Sequence, residues 1–166
     1  RRVESNNIVR FSERTSIMDF RHQSVALGAL GSVACDALLV VMAGDKADAT
    51  LDPSVKRALD DAVVHGEFEL KRGKCVYLRR PAGLKAPRLV LAACGVATAK
   101  SVKAAFAAGL AALRAGGSKH VAVALAGAGE VNAAHAEALV AAVNDATYVY
   151  RHTKPSAPAA GALAKV

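Results

Sequence analysis

The sequence has no tryptophan, four phenylalanines and three tyrosines, so aromatic residues fill 4% of its 166 positions. A platform for stacking single-stranded bases has little to be built from. Cysteine is equally scarce. Cys35, Cys75 and Cys94 are odd in number and lie 40 and 19 residues apart, which suits neither a disulfide framework nor paired zinc knuckles. They indicate a reducing, cytoplasmic setting, with Cys35 and Cys94 beside apolar runs as small buried hydrophobes. Long apolar stretches are missing too. The longest, Ala37 to Ala43, has seven residues, against the roughly 20 that carry a helix across a bilayer. These absences exclude a membrane-spanning helix and a disulfide scaffold.

What is abundant is alanine: 38 of the 88 apolar residues, with 38 Val, Ile and Leu beside them. A core of small side chains on Ala-rich helices is expected, in one domain of ordinary size. A chain of this length buries about two-thirds of the surface that its unfolded form exposes, so it folds without staples. The net charge is +8, from 22 basic and 14 acidic residues. Residues 1–17 hold four Arg and two Glu and no apolar block, and they read as a flexible leader or an added extension rather than a secretory signal. Met18-Asp19-Phe20 then resembles a conventional start.

The leader carries only +2 of the charge. Between Lys71 and Arg88 fall seven cations and no acid: Lys71, Arg72, Lys74, Arg79, Arg80, Lys85 and Arg88. One reading is a solvated sheet edge guarded against aggregation by its charges. The other is a surface for DNA or another polyanion, where phosphates would be neutralised.

Along the chain, Phe20 to Val25 alternates weakly and predicts a short first strand, and Ala26 to Val33 a brief helix or turn. Ala37 to Ala43, closed by Gly44, predicts a strand buried on both faces. Asp52-Pro53 predicts a helix start, with a capping carboxylate and a proline at the first helical position. Val55, Leu59, Ala62 and Val63 then form an apolar face up to Gly66. Cys75 to Arg79 and Arg88 to Ala92 predict two strands joined through Pro81, Gly83 and Pro87. Thr98 caps a helix with a stripe of Val102, Phe106, Leu110 and Leu113, ending at Gly116-Gly117. His120 to Leu125 predicts another strand, and Val131 to Ala146 a last helix. From Arg151 onward the composition is that of a linker. The pattern gives a three-layer α/β fold, with a mixed, mostly parallel sheet and helices on both faces.

Chemistry-bearing motifs are few. Gly127-Ala128-Gly129 lacks the third glycine of a dinucleotide loop and the Gly-Lys-Ser/Thr of a P-loop, and reads as a tight turn. The histidines His22, His65, His120, His135 and His152 lie far apart, and none has the i, i+4 histidine partner of a zinc helix. Asp60 and Asp61 are adjacent, so on a helix they diverge by about 100° and cannot share a metal. No catalytic or metal-binding residue is identified.

The order of several short strings is more specific than any one of them. Met18-Asp19-Phe20, Asp36-Ala37-Leu38-Leu39-Val40, Asp60, Gly66-Glu67-Phe68, Lys71-Arg72-Gly73-Lys74, Arg88-Leu89-Val90-Leu91 with Gly95, and Tyr148 to Lys154 follow one another over residues 18–154. In this the chain resembles the N-terminal domain of the leucyl aminopeptidase, or cytosol aminopeptidase, family. The resemblance implies a macro-domain-like fold over residues 18–150 and a linker, 151–166, towards an absent C-terminal catalytic domain. It implies a cytoplasmic, homohexameric parent in which two divalent metal ions, manganese or zinc, serve the removal of N-terminal residues such as leucine. The parent's metal ligands and its Asn-Thr-Asp-Ala-Glu-Gly-Arg motif would lie in that absent domain. This chain is thus expected to be non-catalytic, serving assembly and access to the active site, with its own catalytic domain and sister subunits as partners. The family also includes bacterial DNA binders, which leaves DNA at the basic segment as the alternative. Cys94-Gly95-Val96-Ala97 departs from the family's Gly-Leu-Gly-Lys type sequence.

Overall fold

The structure, a computed structural model, describes residues 18–21, 23–148, 163 and 165–166. The leader 1–17, His22, and residues 149–162 with most of the tail segment of the resemblance lie outside the described residues. Four strands make one sheet: β1 Ala37–Ala43, β2 Cys75–Arg79, β3 Arg88–Gly95 and β4 Val121–Ala126, in the order β2-β3-β1-β4. β1 lies parallel to β3 and β4, while β2 runs antiparallel to β3. The helices are α1 Pro53–Val64, α2 Ala99–Leu113 and α3 Ala133–Thr147, with a 3-10 turn at Leu27–Ser32.

The two-residue period of the strands divides the core into two slabs. Leu38, Val40 and Met42 of β1 and Leu89, Leu91 and Ala93 of β3 pack with Val55, Leu59 and Ala62 of α1 and with Leu30 and Phe68. Leu39 and Val41 of β1 and Val90, Ala92 and Cys94 of β3 face Val102, Phe106 and Leu110 of α2 and Ala142 and Val143 of α3. Helices cover both faces, so the three-layer α/β fold expected from the sequence is observed. The small side chains matter most at Gly109 of α2, where an added Cβ would run into the Leu39 side chain. The helix lies on the sheet at that point because nothing stands between them.

Local signals set the helix starts. Asp52 Oδ1 accepts the Ser54 N–H at 2.8 Å, and its Oδ2 accepts the Gly31 N–H at 2.9 Å. Thr98 caps α2 in a reciprocal box with Ser101, and Asn132 caps α3 in one with His135. Three expectations need correction. The described residues of Phe20 to Val25 form no strand; Asp19 makes an isolated bridge to Lys165, which also bridges His120. Val63 is 44% exposed, because the buried stripe of α1 is narrow and a residue eight places after Val55 falls about 80° to one side of it. β3 continues to Gly95, where the register with β1 shifts and Gly95 takes a φ of 69°.

Candidate functional site

β2 is an edge of the sheet, and its hydrogen-bond pattern follows from its ends. The Arg80 N–H donates to Pro87 O at 2.8 Å, and the Ala93 N–H donates to Lys74 O at 2.9 Å. With Cys75 opposite Ala92 and Arg79 opposite Arg88, the even-numbered residues of β2 bond to β3. Cys75, Tyr77 and Arg79 therefore turn their N–H and C=O groups outward. None of these six groups has a backbone partner outside the strand among the described residues.

The seven cations of the 71–88 segment do not form one patch. Lys71, Arg72 and Lys74 precede β2, whereas Arg79, Arg80, Lys85 and Arg88 gather at its other end, so Lys74 and Arg80 are separated by roughly 20 Å of extended chain. Six are exposed and Arg88 is half-buried. Arg88 lies beside Gly116 and reaches the Asp36 carbonyl. Lys71 pairs with Glu69 at 3.2 Å, and the Arg79 guanidinium sits over the Tyr77 ring at 5.8 Å. Among the described residues, Arg72, Lys74, Arg79, Arg80 and Lys85 form no ion pair.

Beside this edge, between α1 and β2, runs a groove of about 220 Å³. Arg57, Ala58, Asp61 and Ala62 of α1 form one wall, and Leu78 and Pro81 the other. The sequence reading missed this groove. Its only local signal is the i, i+4 spacing of Arg57 and Asp61 on the outer face of α1. Asp61 and its neighbour Asp60 are exposed.

The carboxyl ends of β1, β3 and β4 form the usual ligand crevice of a parallel sheet, and here one of its backbone N–H groups is engaged by the chain's own carboxylate. Asp48, from the loop after β1, accepts the Gly127 N–H at 3.0 Å together with the Thr50 N–H and hydroxyl. These bonds hold its carboxyl below the usual carboxylate range, the Thr50 hydroxyl contributing most. An incoming anion would find that N–H taken. Gly127 itself bends the chain with a φ of 73°, and an added Cβ would strike the Ala43 carbonyl, so only glycine fits where β4 ends. His135, 6% exposed, sits with Nε2 at 3.2 Å from the Ala97 carbonyl and joins α3 to the loop after β3.

At the opposite end of the sheet, Asp36 Oδ2 accepts the Lys119 and His120 N–H groups, each at 2.9 Å. These two bonds, His120 first, lower the Asp36 pKa against the opposing effect of burial. All three cysteines are free, and burial pushes their thiols up, away from the reactive thiolate. No three His, Cys, Asp or Glu side chains converge among the described residues, so they offer no ligand set for a pair of divalent ions. No helix among them is long and apolar enough to cross a membrane.

A profile of the cytosol aminopeptidase family, N-terminal domain, matches residues 44–156. A probable cytosol aminopeptidase of Methylibium petroleiphilum is 48% identical over 149 residues, covering 90% of this chain and 30% of that protein. Another, from a Polaromonas species, is 37% identical over 138 residues, 82% of this chain and 27% of its own length. The chain thus spans under a third of the curated relatives it matches. Among solved structures, a mutant tomato leucine aminopeptidase superposes with a TM-score of 0.69 at 20% identity, over 90% of this chain and 32% of that one. The macrodomain of Mycobacterium tuberculosis DarG superposes with a TM-score of 0.55 at 14% identity, over 78% of this chain and 91% of its own. Both likenesses concern the fold alone, and both agree with the macro-domain-like architecture.

Proposed function

The chain belongs to the cytosol aminopeptidase family, as its N-terminal domain, and from this premise we propose that it is a non-catalytic part of a metal-dependent aminopeptidase, serving assembly and access to the active site. The observation that carries the reading is coverage: the match runs over most of this chain and under a third of the relatives. The reaction then belongs to the remaining length of the whole protein. There, two divalent ions, manganese or zinc, would polarise the scissile carbonyl and activate water when bound. The described residues converge on no such site.

In this reading residues 18–150 are the domain and 151–166 run towards the catalytic part, in a cytoplasmic homohexamer. What the domain offers such an assembly is a three-layer body with helices packed on both faces of its sheet. The test has two arms. The 166-residue chain, assayed on leucyl p-nitroanilide with manganese or zinc, should show no turnover. The whole protein lacking residues 18–150 should lose its oligomeric state in sedimentation or change its selectivity between short and long peptides. Metal-dependent turnover by the chain alone, or an unaltered oligomer and selectivity after the deletion, would overturn the proposal. The alternative, DNA at the basic hairpin, meets a divided set of cations rather than a continuous stripe, and no observation favours it over the first reading.

A further inference from the structure

The β2 edge combines three features that arise independently. The first is the row of outward N–H and C=O groups on Cys75, Tyr77 and Arg79, a template for one more strand. The second is the groove on the α1 side of that row. Side chains of an added strand alternate between the two faces of the sheet. Every second one would therefore pass over the groove, which Ala58, Ala62 and Leu78 line together with Arg57, Asp61, His65 and Glu67, so that the acids Asp61 and Glu67 confine carboxylates of the added strand to its ends. The third is charge: Lys74 stands at one end of the row and Arg80 at the other, both exposed and neither in an ion pair among the described residues.

Charge also selects among occupants. A second copy pairing antiparallel about Tyr77 would set Lys74 of each copy against Arg80 of the other, and like charges directly opposite are destabilising. A duplex offers phosphates but no strand to satisfy the outward backbone groups. An extended peptide with acidic residues at both ends of a short apolar core meets all three features. We infer that the β2 edge is a docking site for such a segment, which adds as a fifth strand beside Cys75–Arg79, with carboxylates against Lys74 and Arg80. Main-chain bonds would supply affinity, and the groove and the two cations selectivity. This surface is independent of any role in assembly or access, since the partner is recognised by its extended backbone and its acid ends.

The experiment uses the 166-residue chain, labelled with nitrogen-15. The probe is a nine-residue peptide, two Asp, a core of alternating Val and Thr, and two Asp, compared with the same core between Lys pairs. On adding the acidic peptide, exchange of the Tyr77 and Arg79 amide protons should slow about tenfold or more, as for any newly closed backbone hydrogen bond. The Val76 and Leu78 amides, already bonded to β3, should hardly change. The Lys-flanked peptide should leave all four as they were. Replacing two exposed cations, Lys74→Glu with Arg80→Glu, should reverse the preference between the peptides, a gain that mere loss of folding cannot mimic. Equal binding of both peptides, or binding without slowed exchange at Tyr77 and Arg79, would overturn the inference. So would a DNA duplex that displaces the peptide while those amides stay open, which would assign the cations to phosphates. Protection that rises with protein concentration in the absence of peptide would assign the edge to a second copy.

Discussion

At Gly109 two opposing effects meet on one atom. Alanine in place of glycine within a helix gains roughly 1 kcal/mol, yet the added Cβ would collide with Leu39, which is fully buried. Overpacking of a tight core costs about 1–3 kcal/mol, so Gly109→Ala should lower stability in urea. In a Leu39→Ala background the same change should be neutral or stabilising. Equal effects in the two backgrounds would show that the contact is not the cause. Asp36 is the other single residue with a distinct signature. Its folded pKa is depressed by the two N–H groups that it accepts. Its contribution is therefore complete above about pH 4 and is lost as pH falls through the folded value. Asp36→Asn should be less stable than the parent chain at pH 7, by about 1 kcal/mol for a half-exposed group. The gap should close near pH 2. A gap that is constant with pH would mean that the carboxylate charge plays no part. Neither partner was legible from the sequence: Asp36 and His120 lie 84 positions apart, and no local pattern announces such a bond.

Elements whose signals are local were legible, and those that depend on distant partners were not. Asp52-Pro53 and Thr98 announce their helices within four residues, because a cap acts only on the first turn. Cys75–Arg79 is a short run rich in β-forming residues and followed by proline and glycine, which announces a strand; its first four residues are all half-buried, because both faces of β2 are partly covered. Phe20 to Val25 alternates weakly, but the residue that Asp19 pairs with is Lys165, at the far end of the chain. The basic segment misled differently. Seven cations adjacent in sequence became two groups, because an extended strand carries neighbours apart as surely as a turn brings strangers together. Asp52 ties the element scale to a measurement. It is 7% exposed and holds two N–H groups, one of its own helix and one of the 3-10 turn. Asp52→Ala should lose the cap and leave the Gly31 N–H unsatisfied, at about 2–3 kcal/mol in total. Asp52→Asn, which keeps a single acceptor oxygen, should fall between. If both variants match the parent chain in thermal unfolding, the side chain is not what joins the turn to α1.

At the scale of the molecule, the sheet has two edges that are treated differently. Among the described residues the β2 edge is open, and it is charged. Beyond β4, the chain's last residues lie against the approach to the strand. The Val121 N–H donates to Lys165 O at 3.0 Å, the Lys165 N–H to Lys119 O at 2.9 Å, and the Val166 N–H to Asp19 O at 3.0 Å. Val166, 9% exposed, joins the slab beneath α2 and α3, though its stretch of sequence reads as a linker. Burying a valine contributes about 1.5–3 kcal/mol, and an edge N–H that loses its acceptor becomes free to exchange. Removing residues 163–166 should therefore destabilise the domain by roughly 2 kcal/mol. It should also speed amide exchange at Val121 while leaving Tyr77 unchanged. Val166→Ser separates the two contributions: it should carry most of the loss in stability while Val121 stays protected, since the backbone of Lys165 remains. If the truncated chain matches the parent in both stability and exchange, β4 is as open as β2. Charge at the two ends of β2, rather than the number of free edges, would then be the feature that distinguishes one side of the sheet from the other.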